Sequence, residues 1–327
     1  MASPLLMVTD TSYLCFRAFH ALPTTLRGAS GQPANAVRGV LDTIARLIDR
    51  YGPTHLACAW DRDWRPQWRV DLLPSYKTHR IAVPGPSAGD RAHPAEEMPE
   101  DLAAQFGPAR DVLEAAGLVV IGADDAEADD VMGTLAQRFA GRLPVLLVSG
   151  DRDFSQLVDD TAGIALLAPA GRAGGWRTVR EADILSDHGV APDTYVALAA
   201  LRGDPSDGIP GVGGIGAKTG AQLLGHFGDL PSVRRAAHEV VTGTAAAGAG
   251  GLTARRAAAI DAAGDYLDVA ERVITIRRDL PLGVGEEDLR LPAAPPDPSR
   301  WASLIAEWGA AGPAGRLTAA LAGRAGR

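Results

Sequence analysis

Two acidic clusters, separated by one predicted helix and one predicted strand, constrain the fold of this chain more than any other feature. They are Glu127-Ala-Asp129-Asp130 and Asp151-Arg-Asp153. The apolar run at residues 145–148 predicts a buried strand, and the second cluster follows directly after it. Because ligands bind at the carboxyl ends of the strands in an open α/β sheet, we expect this edge to be functional.

Two other predicted strands end in the same way. An apolar run at residues 5–9 is followed by Asp10, and a run at residues 55–60 is followed by Asp61. For any single pair of acids, the simpler explanation is that Asp and Glu complement the dipole in the first turn of a helix. The repetition at several strands favours one shared acidic site.

The order of the predicted elements indicates an α/β fold with a mostly parallel sheet flanked by helices. Helical patterns at residues 12–22, 35–51 and 101–116 alternate with apolar strands, including residues 118–121 and 164–167. A predicted hairpin at residues 171–175 precedes Trp176, and the pattern beyond it is helical. A terminal helical piece after a Pro-rich linker is expected to pack onto the main domain.

Two further acids, Asp204 and Asp207, precede a glycine-rich hairpin that leads into a predicted helix. Glycines allow sharp turns and expose backbone N–H groups, so such a hairpin can hold a phosphate at the start of a helix. Its candidate binding residues are Gly211, Gly213, Gly214, Gly216, Lys218 and Thr219. The hairpin is not a P-loop, because Ala217 stands where that motif requires lysine.

Between residues 61 and 99, basic side chains alternate with aromatic ones, a pattern that suits a nucleic-acid strand. They include Arg62, Trp64, Arg65, Trp68, Arg69, Tyr76, Lys77, Arg80 and Arg91. The alternative is that the tryptophans belong to the core and the arginines to a solvated face; for Lys77 and Arg80 we favour function. The Pro- and Gly-rich segment at residues 81–97 is predicted to be mobile.

The composition is that of an ordinary globular protein of 327 residues, with 46% hydrophobic and 22% charged residues. Cys15 and Cys58 form no metal-ligand or disulfide pattern, and the sequence has neither a signal-like N-terminus nor a long apolar span, so a cytoplasmic location is expected. The net charge of −8 argues at first against a nucleic-acid partner, but carboxylates that hold metal ions do not repel phosphates.

Nine carboxylates at one edge of a sheet would repel one another without cations. They are Asp10, Asp61, Glu127, Asp129, Asp130, Asp151, Asp153, Asp204 and Asp207. Oxygen ligands suit Mg²⁺ or Mn²⁺, so the pattern favours two divalent ions. Two such ions about 3.5–4 Å apart can activate a water and stabilise the leaving oxygen in phosphodiester hydrolysis.

The sequence resembles the 5′-3′ exonuclease and flap endonuclease family, especially the 5′-nuclease domain of bacterial DNA polymerase I. The shared motifs are the strand ending in Asp10, Phe16-Arg17, Asp61 with Pro66, Trp68 and Arg69, Tyr76-Lys77-x-x-Arg80, the two acidic clusters, Gly203-Asp204-x-x-Asp207 with the glycine-rich hairpin, and Asp279-Leu-Pro-Leu282. The resemblance implies a PIN-like domain over residues 1–180 with an arch at about 70–105. It also implies a helix-three-turn-helix domain over 181–290 and a helical extension over 291–327.

The same resemblance implies residue roles. Asp10, Asp61, Glu127, Asp129 and Asp130 would surround one metal, and Asp151, Asp153, Asp204 and Asp207 the other. Lys77 and Arg80, with Arg17, would act on the scissile phosphate, while Arg69 and Tyr76 would contact DNA and Tyr76 would stack on a base. The hairpin would bind duplex DNA, often with K⁺.

The resemblance predicts a monomeric structure-specific nuclease that removes 5′ flaps or RNA primers and digests 5′ ends. A PIN-type ribonuclease is a second interpretation, although such domains lack the helix-three-turn-helix. A non-catalytic flap- or duplex-binding paralogue is a third, and loss of an acid would favour it. One segment and three residues depart from the family pattern. The segment at residues 81–97 is longer and richer in Pro and Gly than usual, Gly220 replaces an alanine, and Asp124 and Asp125 replace a Pro-Gly or similar pair.

Overall fold

The computed structural model describes residues 4–82, 96–171 and 175–325. Its six-stranded sheet consists of β1 (Leu6–Asp10), β2 (His55–Ala59), β3 (Val119–Ile121), β4 (Val145–Val148), β5 (Ile164–Pro169) and β6 (Trp176–Val179). The strand order is β3-β2-β1-β4-β5-β6, with β6 antiparallel to β5 and the other pairings parallel. The predicted α/β fold with a mostly parallel sheet is confirmed. The predicted mobile segment falls largely on residues 83–95, outside the described residues.

Helices cover both faces of this sheet. They are α1 (Thr11–Ala21), α2 (Asn35–Tyr51), α3 (Gln67–Leu72), α4 (Glu100–Ala115) and α5 (Ala128–Phe139). Side chains alternate along a strand, so Met7 packs into the core formed with α2 and α4, whereas Leu6 and Val8 pack into the core formed with α5. This two-sided burial explains why the central strands are continuously apolar.

A helical unit follows the sheet, as expected. It contains α6 (Glu181–His188), α7 (Tyr195–Arg202), α8 (Ala217–Phe227), α9 (Leu230–Val241), α10 (Ala254–Ala262) and α11 (Gly264–Ile274). Residues from Val190 to Ile274 share a separate core, while Ile184 and Ile276 pack with the sheet. The cores therefore divide the chain near residues 190 and 275; the predicted boundaries at 180 and 290 stay predictions.

The terminal piece forms α12 (Pro298–Glu307) and α13 (Ala311–Ala325). Trp308, Leu317 and Leu321 are buried in the same core as α2, so this piece packs onto the main domain as expected. None of the helices within the described ranges combines the length and apolar character that a membrane crossing requires.

The structure shows the surroundings of the three residues that depart from the family pattern. A Cβ on Gly220 would lie 2.8 Å from Cδ1 of the buried Leu198, so glycine permits the close approach of α7 and α8. Asp125 has a φ of 51° and accepts a hydrogen bond from the Gln67 N–H at the start of α3, at 2.9 Å. Asp124 forms an exposed ion pair with Arg62.

Gly220 and Gly225 both lie within α8, and they provide a matched test of this packing. Nothing lies within 4 Å of a Cβ at Gly225, so Gly225→Ala should raise the free energy of unfolding by about 0.5–1 kcal/mol through helix propensity. Gly220→Ala gains the same propensity but overpacks Leu198, a cost of about 1–3 kcal/mol. Urea unfolding should rank Gly220→Ala below Gly225→Ala; equal stability would contradict the packing argument.

Candidate active site

The carboxyl ends of β1, β2 and β4 and the start of α5 surround a pocket of about 500 Å³. Five of the predicted acids and two of the three cations predicted to act on the phosphate line it, namely Asp10, Asp61, Glu127, Asp129, Asp151, Lys77 and Arg80. The parallel strands bring these residues together because the strand ends meet at one edge of the sheet. The predicted convergence of acids therefore occurs for this subset.

Asp10 ends β1 and also caps α1. Its Oδ1 accepts a hydrogen bond from the Tyr13 N–H at 2.9 Å, and its Oδ2 accepts one from Ser149 Oγ at 2.8 Å. Burial, together with the charges of Asp61 and Asp151, raises the pKa of Asp10 to about 7. Burial and the neighbouring negative charges thus disfavour the ionised form of this carboxyl group relative to water.

Burial and neighbouring acids act on Asp61 and Asp129 in the same direction as on Asp10. Asp61 Oδ1 accepts a hydrogen bond from the Ala128 N–H at 2.8 Å, which holds the carboxylate against the start of α5. Burial and the charge of Glu127 raise the pKa of Asp61, and burial and the charge of Asp151 raise the pKa of Asp129 well above its usual value. Burial and like charge therefore disfavour the ionised forms of both carboxylates.

The negative charge of Glu127 is compensated by neighbouring side chains of the chain. Its Oε1 accepts hydrogen bonds from Tyr76 Oη at 2.6 Å and Arg69 Nη1 at 2.9 Å, while Oε2 pairs with Lys77 Nζ. Burial raises the pKa of Glu127, but Lys77 and Arg69 lower it by more, so the net shift is downward. Glu127 is therefore ionised beside acids that are not compensated in this way.

Asp130, which the resemblance places around a metal, does not line the pocket. The residue is fully buried, and Arg69 binds it through both guanidinium nitrogens at 2.7 and 2.9 Å. Its Oδ1 also accepts a hydrogen bond from the Arg277 N–H at 2.9 Å. With these donors in place, Asp130 serves to connect segments of the chain.

Arg69 and Tyr76, which the resemblance implies to contact DNA, are also buried and do not line the pocket. Arg69 is 3% exposed and Tyr76 4%, and both are bonded to Glu127. Arg69 Nε also donates to the Val273 carbonyl on α11 at 3.0 Å. Both side chains hold Glu127 in place, and nothing among the described residues around them supports the predicted base stacking or phosphate contact.

The remaining acids lie beside the pocket, toward the helical unit. Asp204 accepts hydrogen bonds from Arg152 Nη2 at 2.8 Å and from the Ser206 N–H at 2.9 Å. Burial raises the pKa of Asp204, but Ser206 and Arg152 lower it by more. Burial and the charges of Asp151, Asp207 and Asp204 raise the pKa of Asp153 well above its usual value. Asp151 therefore connects this group to the pocket.

Lys77 and Arg80 connect the two groups of acids. Lys77 has a φ of 48°, and its N–H donates to the Asp207 carbonyl at 2.9 Å while its ammonium group reaches Glu127. Arg80 Nη2 donates to Asp207 Oδ1 at 3.1 Å and to the Ser206 carbonyl at 2.7 Å. Both cations are thus held between the sheet and the helical unit, at the edge of the pocket.

Arg17 does not line the pocket, although the sequence suggests a catalytic role. Its guanidinium group lies 4.9 Å from the ring centroid of Trp176, and it borders a second cavity instead. Its partner is 159 positions away in the sequence, so no local pattern could have indicated this contact.

The glycine-rich hairpin is exposed, as a binding hairpin must be. Val212 and Ile215 are buried and anchor it, whereas Gly213, Gly214, Gly216 and Lys218 are exposed and Thr219 is half-buried. Gly211 has a φ of 70°, and its N–H donates to Tyr266 Oη at 2.9 Å. The hairpin is therefore a fixed surface at the N-terminus of α8.

Seven further residues line the pocket, and only Trp64 and Phe16 among them belong to a pattern identified from the sequence. Ser12, Tyr13, Phe16, Trp64, Glu96, Glu97 and Gly150 also line the pocket. Tyr13 lies so close to Gly150 that a Cβ there would be 2.3 Å from Tyr13 Oη. The position of Tyr13 one turn after Asp10 could have indicated this contribution, since a helix that starts at a strand end directs its first turn along the same edge.

Within residues 4–82, 96–171 and 175–325, no three acidic, histidine or cysteine side chains are arranged to ligate a single ion as they stand. Lys77 occupies one side of Glu127, and Ser149 and Tyr13 hold Asp10. Side-chain rotation would be required for three carboxylates to meet at one ion.

Comparisons with known proteins agree with this architecture. The sequence model described as "5'-3' exonuclease, N-terminal resolvase-like domain" matches residues 5–188, and "5'-3' exonuclease, C-terminal SAM fold" matches residues 190–297. A 5'-3' exonuclease of Streptomyces coelicolor is 42% identical over 96% of this chain and 99% of its own length. One from Mycobacterium tuberculosis is 39% identical over 98% of each chain.

Solved structures share the fold. The T5 5'-exonuclease with bound zinc aligns with a TM-score of 0.62 at 21% identity, over 98% of this chain and 99% of its own. A T5 flap endonuclease in a pseudo-enzyme-product complex with DNA and metal ions aligns with a TM-score of 0.62 at 20% identity, over 99% and 100%. With two family domains matched in order and full-length relatives at about 40% identity, the chain belongs to the 5′-3′ exonuclease family.

Proposed function

We propose that this chain hydrolyses phosphodiester bonds near the 5′ ends and 5′ flaps of DNA, and of primer RNA, with the help of divalent metal ions. The observation that carries the proposal is the pocket in which carboxylates from separate strands meet a buried lysine. The family membership supports the reaction class, and the relatives' names describe 5'-3' exonucleases.

The chemistry of the acids fits divalent cations, although the side chains are not in ligating positions as they stand. Asp10, Asp61, Asp129 and Asp151 would hold one ion, and Asp151 and Asp153 with Asp204 and Asp207 would hold a second. Mg²⁺ or Mn²⁺ would activate water and stabilise the leaving oxygen. The raised pKa values of Asp10, Asp61, Asp129 and Asp153 support this proposal, because burial and like charges disfavour their ionised forms without a cation.

Lys77 and Arg80 would stabilise the negative charge that develops on the scissile phosphate. To do so, the Lys77 ammonium group must turn from Glu127 toward the substrate. Arg69 and Tyr76 would keep Glu127 compensated during that movement, since each donates to Oε1 and leaves Oε2 to Lys77. Glu127 would thus act chiefly as the resting partner of Lys77.

The exposed hairpin from Gly211 to Lys218 would bind the duplex part of the substrate through its N–H groups, with K⁺ as a further proposed ligand.

The monomeric state, the activity on RNA and the cytoplasmic location remain predictions.

The proposed metal ligands are tested by comparing two variants in which asparagine removes the charge of an aspartate. Asp151→Asn should lower the rate of Mg²⁺-dependent cleavage of a 5′-flap duplex by at least about a hundredfold while leaving flap binding and stability intact. Asp130→Asn should instead lower the free energy of unfolding by about 3 kcal/mol, because Arg69 loses a buried partner. If Asp151→Asn cleaved at the wild-type rate, the assignment of Asp151 as a metal ligand would be refuted. Tight binding without cutting by the wild type would favour a non-catalytic paralogue.

Lys77 and Lys218 are the two lysines of the chain, so they allow a matched charge deletion. Lys77→Ala should slow single-turnover cleavage by about a hundredfold or more with a modest loss of affinity. Lys218→Ala should weaken duplex binding and leave the single-turnover rate unchanged. Lys77 would instead be a binding residue if Lys77→Ala lost affinity while the single-turnover rate stayed unchanged.

Metal binding should depend on pH in a defined direction. The pKa of Asp10 rises from 3.8 to about 7 on folding, so the metal-free folded state gains protons relative to the unfolded chain between these values. Stability in EDTA should therefore fall as the pH rises through this window. Thermal unfolding should show a larger stabilisation by Mg²⁺ at pH 8 than at pH 6. A stabilisation independent of pH would contradict direct competition between protons and metal.

A further inference from the structure

A second cavity of about 360 Å³ lies between α1, α2 and the start of β6. Its lining residues are Arg17, Asp42, Thr43, Arg46, Leu47, Arg50, Gly175 and Trp176. We refer to it as the α1–α2 cavity. It shares no lining residue with the acidic pocket.

The lining of the α1–α2 cavity is basic in a chain whose net charge is −8. It carries three arginines and one acid, and Asp42 is compensated from two sides, by Arg46 at 2.8 Å and by Arg316 of α13. The Arg46 side chain is 69% exposed, so its ion pair contributes little to stability. Arg46 can therefore exchange Asp42 for a phosphate at little cost, while Arg316 still compensates Asp42.

The cavity also has a flat surface suited to a base. The Arg17 guanidinium group lies over the Trp176 ring at 4.9 Å, and Trp176 is half-buried against the core that contains α2. Aromatic rings and guanidinium planes are the surfaces on which unstacked bases lie in single-strand binding proteins. Arginines beside such a surface provide the phosphate contacts.

Helix α1 connects the cavity to the acidic pocket. Tyr13 and Phe16 line the acidic pocket, and Arg17, the next residue, lines the α1–α2 cavity. A strand that leaves the acidic pocket across this helix would reach the cavity within one helical turn.

We propose that the α1–α2 cavity binds one nucleotide of the single-stranded part of the substrate. Its base would lie against Arg17 and Trp176, and the phosphates on either side of it would contact Arg46 and Arg50. This inference rests on the proposed function and deepens it, since it adds a contact to the unpaired strand outside the acidic pocket. A free mononucleotide has the same chemistry, so the test compares the two sources.

The test measures affinity in EDTA for a blunt duplex and for the same duplex with a 5′ single-stranded extension. Arg46→Ala/Arg50→Ala should bind the extended duplex about tenfold more weakly and the blunt duplex unchanged. If each arginine contacts a phosphate, the slope of log affinity against log salt should become shallower by about 1.4. The control Arg142→Ala/Arg290→Ala removes two exposed, paired arginines outside the cavity and should change neither affinity.

Trp176 provides a second, uncharged test. Trp176→Ala should weaken binding of the extended duplex about tenfold, and Trp176→Phe should retain most of the affinity because the ring is preserved. Thermal unfolding of both variants separates a folding defect from a binding defect. Equal weakening by both variants at wild-type stability would overturn the stacking role.

The remaining outcomes distinguish this inference from the proposed function. If the wild type cuts blunt and extended duplexes with Mg²⁺ but the arginine variant binds the extended duplex normally, only the strand contact is overturned. If a deoxynucleoside monophosphate binds the wild type but not Arg46→Ala/Arg50→Ala, while that variant binds the extended duplex normally, the cavity binds free nucleotide and the strand assignment is wrong. Failure of the wild type to cut either duplex would instead refute the proposed function.

Discussion

The buried guanidinium group of Arg69 is the interaction on which the rest of the structure depends. It binds Glu127 and Asp130 on one side and the Val273 carbonyl on the other, so it joins the edge of the sheet to the helical unit. A buried charge is tolerated only when its partners satisfy it fully, and loss of one partner leaves the others uncompensated. The position of the glycine-rich hairpin relative to the acidic pocket therefore depends on an electrostatic contact, in addition to apolar packing.

This contact also separates two kinds of carboxylate that the sequence does not distinguish. Glu127 and Asp130 have cationic partners within the chain, and the pKa of Glu127 is lowered accordingly. Asp10 and Asp129 face the same pocket without a comparable partner, and burial and neighbouring acids raise their pKa values. The repulsion among the second kind is the physical basis for proposing cations there, whereas the first kind has no such need.

The sequence predicts which segments meet but not which way each side chain points. Apolar runs ending in acids place Asp10, Asp61 and Asp151 at one edge, because the ends of parallel strands must align there. Adjacent residues on a helix point about 100° apart, and of Asp129 and Asp130 only Asp129 lines the pocket. Which of the two does so depends on Arg69, about 60 positions away, and a local pattern carries no information about such a contact.

The net charge of the chain does not predict this arrangement either, because it carries no information about where the charges lie. A net charge of −8 is a sum over the chain, whereas a phosphate responds to charges within about 8–10 Å at physiological ionic strength. The acids of the pocket are concentrated at one sheet edge, and Arg17, Arg46 and Arg50 are concentrated behind the adjoining helix. An acidic protein can therefore present a basic path to a polyanion, provided that cations compensate the acids at the point where the strand enters.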